Sequence, residues 1–133
     1  AIKEASGNIS QCAEIARLVP EDFSIYSGND DMITPLLALG GDGVISVLSN
    51  IAPRQTHEIV QKFFDGDIAG AISGQLKAKP MIDALFAEVN PIPVKAALDI
   101  MGRSKMNFRL PLCDPEESTM VLLERELKAY GIL

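Results

Sequence analysis

The sequence predicts an α/β fold in which a parallel sheet built from βα units is followed by a helical region. Two observations carry this. From Ala1 to Gly66, short runs rich in β-branched and aromatic residues alternate with amphipathic segments; beyond Gly66 only the helical period continues. Strands joined through helices lie parallel with right-handed crossovers, so the working edge of such a sheet is at the carboxyl ends of its strands.

The elements follow in order. Ala1 to Ala5 reads as a short strand, and Ser6-Gly7-Asn8 as a turn with helix-capping residues. Ile9, Cys12, Ile15, Ala16 and Val19 recur at spacings of three and four, one apolar helix face, and Pro20 ends that helix. Phe23 to Ser27 reads as the second strand, Gly28-Asn29-Asp30 as a turn with Asp30 as N-cap, and Met32 to Leu39 as a short helix. Gly40-Gly41-Asp42-Gly43 stops it, and Val44 to Val47 has the composition of a buried third strand. Pro53 to Phe64 is a third helix. Ile68 to Val89 reads as helical with a break at Pro80. A helix from Asn90 to Met101, an extended connector at Arg109 to Leu112 and a last helix from Pro115 to Tyr130 complete the chain. The expected division is 1–66 for the βα units and 67–133 for a helical domain.

Composition removes several functions. The 133 residues carry a net charge of −6, which argues against a nucleic-acid partner, since phosphate contacts need clustered Lys and Arg. No apolar run approaches the roughly 18 residues that span a bilayer, and no secretory signal pattern opens the chain. Cys12 and Cys113 fit free thiols in a reducing cytosol; with no secretory signal pattern, the acceptor pattern Asn8-Ile9-Ser10 is expected to be incidental. Ala1 is not an initiator Met, and Ile2 to Ala5 already reads as structure, so we expect the chain to be part of a longer one.

Lys3 is the residue with most chemical promise. It sits on a strand between Ile2 and Ala5, near the carboxyl end, where partial desolvation would lower its pKa and free a nucleophilic amine. A lysine paired with a neighbouring carboxylate is the alternative that position alone leaves open. Gly28 follows the second strand on the same edge, where an ordinary turn competes with close backbone approach to a ligand. Gly40 to Gly43 precedes its strand, which puts it at the opposite end and rules it out as a phosphate cradle there. His57, the one histidine, reads as a solvated helix residue, and no metal cluster or Ser-His-Asp set can be assembled around it.

Taken together, the segments Ile2-Lys3-Glu4-Ala5-Ser6-Gly7-Asn8, Tyr26-Ser27-Gly28-Asn29-Asp30 and Gly40-Gly41-Asp42-Gly43-Val44-Ile45-Ser46-Val47 resemble the 4-hydroxy-tetrahydrodipicolinate synthase (dihydrodipicolinate synthase) family. Asn90-Pro91-Ile92-Pro93-Val94-Lys95 and Arg109-Leu110-Pro111-Leu112 add two more of its blocks. The lysine and glycine blocks are shared more widely by class I pyruvate aldolases such as N-acetylneuraminate lyase; the Asn-Pro-Ile-Pro-Val-Lys block is more specific.

The resemblance implies the C-terminal part of a (β/α)₈ TIM barrel, its last three strands, followed by a C-terminal helical domain. It matches Lys3 to the Schiff-base lysine, and Gly28 and Ile45 to positions lining the pyruvate site. It implies a cytoplasmic lyase condensing pyruvate with L-aspartate 4-semialdehyde in lysine and diaminopimelate biosynthesis, with no metal or organic cofactor. Ile9, Ser10 and Leu39 match the weaker dimer–dimer contact of tetrameric members, so a homotetramer or homodimer is implied. Asn29 departs from the commoner Asp. The proton-relay Thr and Tyr and the arginine that receives the semialdehyde belong to the first half of the barrel and have no counterpart here. The N-terminal half is therefore a required partner, and this chain alone is expected to be inactive. A sugar-acid or sialate lyase of the same superfamily, or a barrel relative without catalysis, are the alternatives.

Overall fold

A computed structural model describes residues 1–133. The chain forms two compact units, residues 1–46 with 54–76, and residues 47–53 with 77–133.

The first unit holds the sheet. Strands β1 (Ile2–Glu4), β2 (Ile25–Ser27) and β3 (Gly43–Val44) lie in the order β1-β2-β3, all parallel. Helix α1 (Ile9–Leu18) links β1 to β2, and a 3₁₀ turn (Asp30–Met32) running into α2 (Ile33–Ala38) links β2 to β3. Asn8 starts α1, its Oδ1 accepting from the Ser10 and Gln11 amides at 3.0 and 3.3 Å. This is the capping role its position in the turn predicts. Cys12, Ile25 and Leu36 form a buried core, with Ile2, Ile15, Ala16, Val19, Phe23, Met32 and Leu39 packed around it. The apolar stripe of α1 thus closes on one face of the sheet.

Helix α3 (Pro53–Phe64) has the predicted bounds and buries Thr56 and Ile59. Helix α4 (Ile68–Leu85) begins beside Asp67, whose Oδ1 accepts the Gly70 amide at 2.9 Å. Gly74 in α4 packs directly on Ile59: a Cβ there would lie 2.9 Å from the Ile59 Cγ1.

In the second unit, α5 (Ile92–Ile100) packs on α6 (Glu117–Tyr130) and on the 3₁₀ turn Leu48–Asn50. Ile92, Pro93, Val94, Ala96 and Ala97 are the buried side of α5, and Thr119, Leu123 and Leu127 that of α6. Gly131, at φ 84°, ends α6 in the left-handed conformation.

Four expectations are corrected. The third strand covers Gly43 and Val44 instead of Val44 to Val47, because Val47 is already helical at φ −80°, ψ −44°. Pro80 does not break α4: Ala78, Met81, Ile82, Ala84 and Leu85 around it are at most 2% exposed, and burying them outweighs the missing amide bond. Arg109 to Leu112 is a turn, not an extended connector, with the Leu112 amide donating to the Arg109 carbonyl at 3.0 Å. Asn29, not Asp30, is the N-cap residue of the turn after β2, and Asp30 is instead completely buried. No helix is long and apolar enough to cross a membrane.

Candidate functional site

Side chains alternate across a sheet, and in a parallel pair residues in register share a face. Lys3 is in register with Tyr26, and Tyr26 with Gly43. Lys3, Tyr26 and Gly43 therefore form one row. Ala5, Gly28 and Ile45 continue the same face one step towards the carboxyl ends, where the Gly28 amide donates to the Glu4 carbonyl at 2.6 Å and the Ile45 amide to the Ser27 carbonyl at 2.8 Å. The other face carries Glu4, Ser27 and Val44, of which Glu4 and Ser27 are buried.

The three residues singled out in the sequence thus stand on one face at the carboxyl edge. Lys3 and Gly28 touch. A Cβ added to Gly28 would lie 3.0 Å from the Lys3 Cε and 2.5 Å from the Ala5 Cβ. The Ala5 contact requires glycine here: the chain after β2 passes so close to Ala5 that any side chain at position 28 would clash, and the lysine stem lies beside it. Ile45 sits just past β3 and is 48% exposed, an apolar group bordering the lysine row.

The expected desolvation of Lys3 is not met within this chain. Lys3 is exposed and Glu4 is buried. The reason is the pleat: α1 covers the Glu4 face, and none of these residues covers the Lys3 face.

Sequence reasoning missed the Glu4 side chain. Its carboxylate accepts from the Ser6 amide at 3.1 Å, the Ser6 hydroxyl at 3.0 Å, the Gln11 side-chain amide at 3.1 Å and the Cys12 thiol at 3.1 Å. Burial pushes the Glu4 carboxyl up, but the Cys12, Ser6 and Gln11 donors together hold it below its ordinary value. Cys12 moves the other way: burial, then its bond to Glu4 and the Glu4 charge, push its thiol from 9.0 up to about 11. Strand alternation was the available signal. A Glu next to an outward Lys must point into the helix-covered layer, where it needs donors.

Two further anchors hold the loop after β2. The Ser27 hydroxyl donates to the Asn29 carbonyl at 2.8 Å and accepts the Asn29 amide at 3.2 Å. From α4, the buried Gln75 donates its amide to the Asp30 carbonyl at 2.7 Å and accepts the Thr34 amide at 3.3 Å.

The remaining candidates lie elsewhere. Gly40 to Gly43 is at the amino end of β3, where Asp42 brackets Ile25: the Ile25 amide donates to its Oδ2 and its own amide to the Ile25 carbonyl, both at 2.8 Å. His57 is exposed on α3. No three His, Cys, Asp or Glu side chains are grouped to hold a metal ion. Ile9 and Ser10 are exposed on the first turn of α1, and Leu39 is half-buried at the end of α2.

Comparison with known proteins places this arrangement. The model of the dihydrodipicolinate synthetase family matches residues 1–130. A protein of Caldicellulosiruptor bescii named 4-hydroxy-tetrahydrodipicolinate synthase is 57% identical over 132 residues, which cover 99% of this chain and 44% of that protein. The crystal structure of dihydrodipicolinate synthase from Thermotoga maritima superposes with a TM-score of 0.98 at 45% identity, covering 99% of this chain and 46% of that one. The chloride-inhibited dihydrodipicolinate synthase of Acinetobacter baumannii, complexed with pyruvate, superposes with a TM-score of 0.94 at 36% identity, covering 99% of this chain and 45% of that one. This chain therefore spans less than half the length of the relatives it matches, and aligns with about the C-terminal 45% of these structures. Its three parallel strands are the last three of the (β/α)₈ barrel, followed by the C-terminal helices. By its sequence over residues 1–130 and by its fold, the chain belongs to the dihydrodipicolinate synthetase family.

Proposed function

We propose that this chain is the nucleophile-bearing part of a pyruvate-dependent lyase, 4-hydroxy-tetrahydrodipicolinate synthase. The observation that carries the reading is the contact of Lys3 with Gly28 at the carboxyl edge, on the face the helices leave open. The Acinetobacter baumannii structure, a family member complexed with pyruvate, supports the choice of substrate.

In the reaction, the neutral amine of Lys3 attacks the pyruvate ketone. The carbinolamine loses water and leaves an iminium, which withdraws electrons from the methyl group. Loss of a methyl proton gives an enamine. Its carbon attacks the aldehyde of L-aspartate 4-semialdehyde, forming the new C–C bond, and the aldehyde oxygen takes up a proton. The semialdehyde amine then displaces Lys3 from the iminium carbon as the ring closes.

Gly28 leaves room for the ketone beside the lysine stem, and Ile45 offers the methyl group an apolar wall. The groups that move protons come from the first half of the barrel, which also covers Lys3 and removes it from water. On this reading residues 1–66 complete the barrel, and 67–133 form the helical domain. Ile9, Ser10 and Leu39 serve a contact between copies in a homotetramer or homodimer, and the enzyme works in the cytoplasm, in lysine and diaminopimelate biosynthesis, without a metal or organic cofactor.

The test is borohydride reduction of the assembled enzyme with pyruvate, followed by peptide mass spectrometry. We expect a reduced pyruvate adduct on Lys3. An adduct on another lysine, or on none, overturns the mechanism.

A further inference from the structure

We propose that Glu4 is the positioning residue for Lys3. The inference rests on the Schiff-base reading above and extends it to the opposite face of the sheet.

Four observations support it. Glu4 is 7% exposed, yet its carboxylate is met by four donors from Ser6, Gln11 and Cys12. The donors lie in the turn after β1 and the first turn of α1, so the carboxylate fastens strand end, turn and helix start together. The fastening continues through Ser6, whose hydroxyl accepts the Asn8 amide at 3.1 Å, and through Asn8, which caps α1. The Glu4 carbonyl also accepts the Gly28 amide at 2.6 Å, which draws in the glycine that touches Lys3.

A buried charge is a costly way to close a turn. The Ser6, Gln11 and Cys12 donors offset that cost, so the grip stabilises the turn as well as fixing where the strand ends. The second effect bears on Lys3. Lysine has a long, flexible side chain; near its head the stem lies beside Gly28, and Gly28 in turn packs closely on Ala5. If the backbone from Glu4 to Ser6 relaxes, Ala5 moves and the amine loses its reference. Misplacing a reacting group by about 1 Å costs on the order of 100-fold in rate. The Glu4 grip acts on Lys3 without touching substrate.

The experiment uses the assembled enzyme, wild type and Glu4→Gln. Glu4→Gln keeps the volume and removes the charge that the donors converge on. Thermal midpoint, kcat, KM for pyruvate and the rate of borohydride-trapped adduct formation are measured together. We expect kcat and the trapping rate to fall by about tenfold or more, KM for pyruvate to change by less than about threefold, and the midpoint to fall while the enzyme stays folded at the assay temperature. Ser6→Ala is the milder companion, since Ser6 is exposed and its loss removes one donor while leaving the charge. It should give a smaller fall of the same kind. A trapping rate within twofold of wild type in Glu4→Gln overturns the proposal. So does a purely structural pattern, in which activity in both variants falls only in proportion to the folded fraction. The wild-type lane separates the two levels: no adduct there sinks the Schiff-base reading itself, whereas a normal wild-type adduct with unchanged variant rates sinks the role of Glu4 alone.

Discussion

Cys12 and Glu4 are one hydrogen-bonded pair whose members titrate in opposite directions. The folded thiol is pushed from 9.0 to about 11, so its neutral form is favoured by folding. That contribution is complete below pH 9 and is lost as pH rises from there to about 11, where the unfolded chain ionises first. Glu4 behaves conversely: its folded carboxyl lies below the ordinary value, so its contribution is present at neutral pH and is lost as pH falls through the folded value. Thiol chemistry offers a check, because the thiolate is the reactive form. At pH 8, iodoacetamide should label the exposed Cys113 and leave the buried Cys12 unmodified until denaturant is added. Labelling of Cys12 at the same rate as Cys113 in the folded protein would show that the thiol–carboxylate pair is open. The residue roles themselves were unevenly legible. Lys3 and Gly28 could be singled out because strand direction fixes the edge they occupy. For Glu4, strand alternation gives only the face; its partners Gln11 and Cys12 lie seven and eight residues away and meet it only when α1 folds back.

The elements with strong local punctuation were read well from the sequence. Asn8 caps α1, Pro53 opens α3, and Gly131 closes α6, each by a backbone requirement that local sequence carries. The misread elements are those decided by distant packing. Val44 to Val47 has strand composition, but the chain must turn into the Leu48–Asn50 3₁₀ segment and pairing stops early. Pro80 in α4 has break chemistry, but apolar burial on both sides of it carries the helix through. That second case can be measured. Pro80 is exposed, so Pro80→Ala should restore an amide bond to the helix without disturbing packing. An interior proline costs about 3 kcal/mol in a helix, offset by up to about 1 kcal/mol from the stiffer unfolded chain. We expect a net gain of about 1–2 kcal/mol by denaturant titration. A loss would mean that α4 depends on the geometry proline imposes.

On the scale of the whole molecule, the sheet has three strands, with β1 and β3 at its edges and the Lys3 face open. A complete (β/α)₈ barrel closes on itself through about eight strands, which removes both edges and fills the interior with side chains. The fold class was legible because βα alternation is a local pattern. The environment of Lys3 was not, because none of these 133 residues covers its face, and the proposed function assigns that cover to the first half of a barrel. The consequence is an assembly test. Residues 1–133 alone should show no condensation of pyruvate with L-aspartate 4-semialdehyde, and activity should appear when the first half of the barrel is supplied and the two are refolded together. Full activity from residues 1–133 alone would mean that the proton-moving groups lie within them.

The Gln75 contact bears on the order in which the site forms. Its two hydrogen bonds, to Asp30 and Thr34, join residues 45 and 41 positions apart. Contacts of such separation carry a loop-closure cost before they return any stabilisation, and they tend to form late. The lysine end is held by contacts closer in sequence: Glu4 meets Cys12 eight positions away, and Lys3 pairs with Tyr26 on the next strand, 23 positions away. The loop at Asp30 waits for α4 to arrive from far down the chain. The shorter contacts around Lys3 are therefore expected to form first, and the loop after β2 to be locked by α4 afterwards.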